Sequence, residues 1–464
     1  MNFIMDIIDS FSSFLWGGPM LVLLLGTHIY FTVRLGGIQR WLPRGIRLSF
    51  GGSTKTKSET NSETGHSTGN GPGRKASSHS GITPYAALAT SLAATIGTGN
   101  IIGISTAIAI GGPGAVFWCW LTGVLGMATC YGESLLAVLY RIKSPSGGYR
   151  GGPMYVLQNG LHNKRLAVIF SVSGVLASFG MGSSVQSHSL SAAITEHFSV
   201  SPHIIGIVVA MLAGFALLGG VRQITKICSY FVPIMSLFYL TGCLWLLFLN
   251  RSFLWEAVTV IVRSAFSSRA LAGGLIGTAV LTGLRIGISR GLFTNEAGLG
   301  SIPMSAATAE SGTATDLSLI AMTGPFWDTV VICAITGLAI VSSILKSPEA
   351  FANISADALC FQAFAQLPMF GKEILSLSLV LFAFATILGW SFYGECSVRF
   401  LSGEKGVKLY QLLYLMSVYL GAVVSLKVVW GISDLLNALM ALPNLLCLWL
   451  LRKKIFSETK RAGL

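Results

Sequence analysis

AATIGTGNIIG, residues 93–103, places three glycines, a threonine hydroxyl and an asparagine amide near the middle of an apolar stretch. RGLFTNEAGLGS, residues 290–301, does the same after the apolar run that begins at Ala270. In each segment glycines flank an asparagine, and a hydroxyl residue stands immediately before it (Thr294) or two before it (Thr98). Glycine adopts backbone conformations closed to other residues and allows close approach. Within a bilayer, non-helical backbone survives only where protein or a water-filled cavity takes up its freed N–H and C=O groups. One such segment is equally well a packing face between helices. Two of them, opening corresponding halves of a chain, are the mark of a secondary transporter built from inverted repeats. Half-helix N-termini then aim positive dipole ends at a carboxylate, while exposed carbonyls and C-terminal ends coordinate a cation. Such a pair suits a small zwitterion moved together with a monovalent ion.

The rest of the chain supplies the membrane that this reading needs. Its 464 residues are 52% hydrophobic and only 11% charged, with mean hydropathy +0.69. Soluble domains carry about 25% charged residues, so a water-soluble globule is excluded, and most cytosolic enzymes with it. A helix needs roughly 20 apolar residues to cross the hydrocarbon core. Stretches of that size fall near 14–33, 82–111, 115–140, 166–190, 203–221, 228–249, 271–293, 317–343, 374–395, 407–426 and 430–451. Alternating lipid-facing strands are not visible, so an outer-membrane barrel is not expected. The fold class is an all-α polytopic membrane protein of about 11 transmembrane helices. After one leading helix, the two interruptions fall in the first and sixth helices of a ten-helix core.

Charge sets the orientation. Lys and Arg total 31 against 18 Asp and Glu, a net +13, which in a soluble protein would point to nucleic acid. Here the cations collect in alternate connections. Arg34, Arg40, Arg44, Arg47, Lys55, Lys57, Arg74 and Lys75 follow the first span; Arg141, Lys143, Arg150, Lys164 and Arg165 follow the third. Arg222 with Lys226, then Arg399, Lys405 and Lys408, and finally the tail from Arg452 to Arg461 lie on the same side. The other face holds Arg251, Arg263, Arg269, Lys346, Lys372 and Lys427. The positive-inside rule puts the N-terminus outside and the C-terminus in the cytoplasm, and no nucleic-acid partner is implied. Asp6 and Asp9 near the start are unlike the basic region of a cleaved signal peptide. Residues 35–81 form a basic cytoplasmic loop, Ser-, Gly-, Thr- and Lys-rich over 51–81, that reads as disordered. Seven of the eight cysteines lie in or beside spans and only Cys360 in an outer segment, so they read as packing residues rather than a disulfide pair or metal site.

Several long segments resemble the alanine/glycine–cation symporters, the sodium:alanine symporter family of the amino acid–polyamine–cation superfamily. They are GTGNIIGISTAIAIGGPGAVFWCW (97–120), GMATCYGESLLAVLYR (126–141), GGPMY (151–155), RGLFTNEAGLGS (290–301), DTVVICAIT (328–336), FAFATILGWSFYGE (382–395) and MALPNL (440–445). The resemblance covers almost the whole chain outside 51–81. It implies a leucine-transporter-like 5+5 inverted repeat plus one N-terminal helix. The organisation is then an extra transmembrane helix (1–34), the basic loop (35–81), a first five-helix repeat (82–249), an external connector (250–270), a second repeat (271–451) and a cytoplasmic tail (452–464).

The resemblance also assigns residues. Gly97, Thr98, Gly99 and Asn100 match the family's first broken helix, and Phe293, Thr294, Asn295, Ala297 and Gly298 the second, with Phe293 an apolar wall. Gln186 matches a substrate-contacting glutamine; on its own it reads as a helix–helix hydrogen bond. Thr386 and Trp390 are one turn apart and so share a face. The threonine hydroxyl suits a hard cation, with Gly97 and Asn100 as the other cation contacts, and the indole suits a cap over a small side chain. Ala385 stands where a serine is common in the family, removing one hydroxyl from the ion site. Ionisable residues within spans invite functional readings. Among these, Glu296 reads best as a structural pair with Arg290, and Asp328 and Arg285 stay open. Glu133, Glu395 and Asp434 lie nearer helix ends, and His188 reads as a polar packing residue.

The implied activity is uptake of alanine, glycine or another small neutral amino acid across the inner cell membrane, driven by Na⁺, with H⁺ the alternative ion. A channel would need a continuous polar pore, and a membrane enzyme a catalytic constellation; neither is visible. The chain shows no P-loop lysine motif and no metal-ligand cluster, and no cofactor is implied beyond the transported ion.

Overall fold

The computed structural model describes residues 18–51, 81–145, 147–266, 279–424 and 427–464. Two helices, α1 (Pro19–Arg34) and the short α2 (Leu42–Ser49), lead into the interrupted pair α3 (Pro84–Thr95) and α4 (Ile102–Gly111). There follow α5 (Gly114–Leu139), α6 (Lys164–Thr195), α7 (Pro202–Leu218), α8 (Gly220–Leu249) and α9 (Leu254–Phe266). The second half comprises α10 (Ala279–Asn295), α11 (Ala314–Lys346), α12 (Gly371–Ser402), α13 (Glu404–Val423), α14 (Lys427–Leu450) and α15 (Arg452–Arg461). Among the described residues, six helices are long and apolar enough to cross a membrane, and up to nine when each sharply bent pair counts as one span.

Small residues let the central helices touch backbone to backbone. Gly283, Gly287 and Gly291, spaced by one turn on α10, face Gly111, Ala115 and Thr122. A methyl group on Gly287 would lie 2.3 Å from the Ala115 carbonyl oxygen, and one on Gly291 2.0 Å from Thr122 Oγ1. Without a hydrophobic force between helices in lipid, such close packing is what holds them together. On the other side, α12 crosses α3 at Gly389, whose missing side chain would meet the Ala94 amide nitrogen at 2.4 Å. The two interruptions are thus gripped between α5, α10 and α12.

Several boundaries differ from those read in the sequence. α8 starts at Gly220 (φ +61), so Arg222 and Lys226 sit in its first turns rather than in a loop. Hydropathy misses such turns because long cationic side chains can carry their charge outward while their stems stay on the helix. The connector 250–270 contains α9, held by Trp118 Nε1 donating to the Ala265 carbonyl at 3.3 Å. The stretch read as a basic loop includes α2, fastened where Arg44 meets Asp316 at 3.0 Å; residues 52–80, where disorder was expected, lie outside the described residues. The tail folds into α15, whose Ile455 is buried and whose Thr459 hydroxyl lies 3.0 Å from that of Tyr131 on α5. All eight cysteines are free, and Cys360 is buried in the short helix Leu359–Phe364 between α11 and α12.

Candidate substrate and ion site

α3 begins where the Thr83 hydroxyl accepts the Ala86 N–H and Pro84 fills the first turn. It ends when Ile96 turns to an extended conformation (ψ 91°). Gly97 is extended too (φ −134°, ψ −161°), Thr98–Asn100 form a single tight turn, and the chain leaves bent by 61°. Asn100 holds this shape from inside. Its Oδ1 accepts the Gly97 N–H at 2.9 Å, and its amide donates to the Asp328 carboxylate at 2.6 Å and to the Asp328 carbonyl at 3.2 Å. On the outer side of the kink, Thr98 Oγ1 donates to Gln186 Oε1 at 3.1 Å. Gln186 follows a widened turn in α6 (178–184) and its amide donates to the Met181 carbonyl at 3.3 Å. Thr386 Oγ1 lies 3.0 Å from the Phe382 carbonyl and 3.4 Å from that of Ile96. A methyl on Gly97 would reach within 2.6 Å of Thr386 Oγ1 and 3.6 Å of Gln186 Oε1. Gly97, Thr98, Gln186 and Thr386 therefore form one buried, oxygen-rich cluster, the donor type that hard cations and ammonium groups prefer.

The second interruption starts later than the sequence indicated. Arg290 to Asn295 remain helical at the end of α10, and the irregular stretch is 296–301, before the short helix Ile302–Ala306. Three residues take left-handed conformations: Glu296 (φ +52), Gly298 (φ +88) and Gly300 (φ +85). Such a conformation is uncommon for a glutamate, and side-chain bonds hold it. Glu296 Oε2 accepts the Ser301 hydroxyl at 2.6 Å and Oε1 accepts the Trp390 indole N–H at 3.1 Å. These neutral donors, rather than the expected Arg290 pairing, satisfy the carboxylate. Trp390 is fully buried and packs on Gly182, so it acts as a fixed wall tied to the second break.

Phe293 and Thr294 join the two interruptions. The Thr294 methyl would lie 3.0 Å, and the Phe293 ring 3.7 Å, from a side chain placed on Gly99. Asp328 makes the polar link: Oδ1 takes the Asn100 amide, Oδ2 takes the Thr329 hydroxyl at 2.6 Å, and Thr329 Oγ1 lies 3.4 Å from Thr294 Oγ1. Asn295, Ala297 and Gly298 lie elsewhere. Asn295 accepts the Ala297 N–H at 3.1 Å and reaches Thr122, while Ala297 packs against Gly126. Gly298 meets Glu133 and Asn444: Glu133 accepts the Gly298 N–H at 3.3 Å and an Asn444 N–H at 2.7 Å, and Asn444 also donates to the Gly298 carbonyl at 2.9 Å. These three residues brace the turn and do not meet the cluster around Gly97.

Asp328 and the Glu133–Asn444 brace are the functional neighbours that sequence reasoning left without a role. A carboxylate inside an apolar run is the available signal, but nothing local says which distant amide it will meet. Ala385 is buried next to Thr386 and offers no oxygen. His188 is half-buried, and its Nδ1 has no hydrogen-bond partner among the described residues.

Helices interrupted at two facing points, with an oxygen-lined buried cluster between them, define a multi-pass membrane transporter. The profile of the sodium:alanine symporter family matches residues 1–461, and the chain belongs to that family. The sodium/alanine symporter AgcS of Methanococcus maripaludis is 42% identical over 465 residues, covering 99% of this chain and 97% of that protein. A transporter of Haemophilus influenzae without an assigned substrate is also 42% identical, over 98% of this chain and 95% of its own length. Among solved structures, a substrate-bound, outward-open Na⁺-coupled sialic acid symporter superposes with a TM-score of 0.50. It covers 90% of this chain and 82% of that one at 12% identity, a likeness of fold alone. The protein is a cation-coupled amino-acid symporter and not an enzyme.

Proposed function

We propose that the chain imports alanine or glycine together with Na⁺ by alternating access, with both ligands held at the two interruptions. The observation that carries this reading is the buried oxygen cluster in which Thr386 Oγ1, Gln186 Oε1 and Thr98 Oγ1 close around Gly97, with the Ile96 carbonyl 3.4 Å from Thr386 Oγ1. Its oxygens suit Na⁺ and the substrate ammonium, and the backbone of the kink between α3 and α4 suits the carboxylate. Phe293 on one side and the fixed indole of Trp390 on the other limit the side chain to a small one. An additional methylene is worth about 1–3 kcal/mol of discrimination in such a pocket, so neighbouring small amino acids should leak through. The proposed organisation is eleven spans: α1, then two five-helix repeats beginning at α3 and α10. The N-terminus is outside and the C-terminus is in the cytoplasm of the inner membrane, as the basic connections favour.

H⁺ coupling is the second reading. It draws on three buried carboxylates, Glu133, Glu296 and Asp328, whose bonds described above come from neutral donors, and on Ala385 in place of a hydroxyl. Labelled alanine counterflow and accumulation in proteoliposomes, under an imposed Na⁺ or H⁺ gradient, separates the two. Accumulation with Na⁺ and none with H⁺ supports the primary reading. Failure of a Na⁺ gradient to drive uptake overturns the ion assignment, and failure of every small amino acid to exchange overturns the substrate.

A further inference from the structure

A polar cavity of about 330 Å³ opens on the strongly basic face, away from the cluster around Gly97. Its walls come from Ser144 and the stretch 147–151, the chain just past the short helix Ile302–Ala306 at Thr308 and Glu310, the start of α8 and the end of α12 at Cys396 and Arg399. At its rim Glu404 is held between two guanidiniums. Arg150 Nη2 bonds to Glu404 Oε1, and Arg399 Nη1 bonds to the same oxygen at 2.6 Å. Arg399 is itself anchored by Glu395, a buried carboxylate 2.6 Å away, which also accepts from Gln411 at 3.2 Å. The two arginine side chains are only 18% exposed, whereas Glu404 is 52% exposed. The cations are largely buried, and the anion between them faces solvent. Glu310 lines the same cavity, its carboxylate beside Gly148.

We propose that this cavity is a second, low-affinity amino-acid site, in which Arg150 and Arg399 take the α-carboxylate of a free zwitterion and Glu404 occupies their place between turnovers. A carboxylate bridging two guanidiniums is the arrangement a substrate carboxylate would adopt, and Glu310 supplies an acceptor for the ammonium. Because Glu404 is tethered, it competes at high effective concentration, so a free amino acid displaces it only weakly. Weak binding serves a release site, where a ligand must leave as readily as it enters. The inference rests on the proposed amino-acid cargo.

Cys396 is the reporter, because it lines the cavity and is half-buried while the other seven cysteines are buried. In purified protein, alanine should slow maleimide labelling that is lost in Cys396→Ser, and alaninamide, which lacks the carboxylate, should not. Protection should persist in Gly97→Ala, where the central cluster is filled. Glu404→Gln should lower the half-protecting alanine concentration by roughly tenfold, since the tethered charge is gone. Arg150→Gln should raise it and leaves the Arg399–Glu395 anchor in place. Protection that vanishes in Gly97→Ala, equal protection by alaninamide, or an unchanged concentration in Glu404→Gln would each overturn the proposal. Loss of alanine uptake by the wild-type protein strikes the cargo reading instead; intact uptake without protection strikes this site alone.

Discussion

The two interruptions look alike as sequence and are built differently. At the first, the backbone stays within ordinary dihedrals, and one side chain, Asn100, fastens the kink to Asp328 while Thr98, Gln186 and Thr386 gather on its other side. At the second, three left-handed residues are held by Ser301 within the break and by Glu133, Asn444 and Trp390 from three other helices. The first break gathers side-chain oxygens around a bare glycine, and the second is braced against collapse. Freed backbone groups inside a membrane must be satisfied, and the two breaks meet that demand in these two ways.

That contrast can be broken by substitution. Glu133→Ala removes the acceptor for both the Gly298 N–H and Asn444. Each orphaned buried group costs about 1–3 kcal/mol, so the expected result is a large fall in thermal stability in detergent; an unchanged melting point would remove the brace. Gly97→Ala should leave the melting point closer to wild type but cut uptake. Overfilling a packed site costs about 1–3 kcal/mol, roughly a 10–100-fold loss of apparent affinity when binding absorbs it. Uptake kinetics near wild type would show that the space beside Thr386 is not the site. Thr386→Val replaces one of several oxygens with a methyl of the same shape. Its expected effect is a rise of roughly tenfold in the Na⁺ concentration for half-maximal uptake, about 1.4 kcal/mol, with alanine selectivity retained; unchanged Na⁺ dependence would take Thr386 out of the ion site. Arg44→Gln lies outside both breaks, and its half-exposed pair with Asp316 is worth no more than about 1 kcal/mol. Uptake and stability should barely change, and a large loss would show that α2 does more than dock.

Much of this site was legible because it is made of residues that membranes penalise. Gly97, Thr98 and Asn100 stand out in an apolar run, and Thr386 and Trp390 share a face by helical spacing alone. Gln186 was found through the family resemblance, and Thr98 Oγ1 supplies its contact. Asn295, Ala297 and Gly298 are assigned to the ligand site by the family resemblance; the helix end and the left-handed turn after it place them beside Thr122, Gly126 and Glu133. Periodicity carries no information about such a reversal. The expected Glu296–Arg290 pair failed for a related reason. A carboxylate finds the donors that packing brings to it, here a hydroxyl five residues on and an indole 94 residues away.

The sequence by itself determined that this chain is helical, lives in a membrane, and breaks its helices at two points, because hydropathy and glycine content are local properties the bilayer reads directly. The tertiary structure decided which break gathers the oxygen cluster and which is braced, and which buried carboxylate meets which amide. Those outcomes depend on where α5, α11, α12 and α14 bring groups separated by tens to hundreds of residues, and only close packing of the whole bundle fixes that.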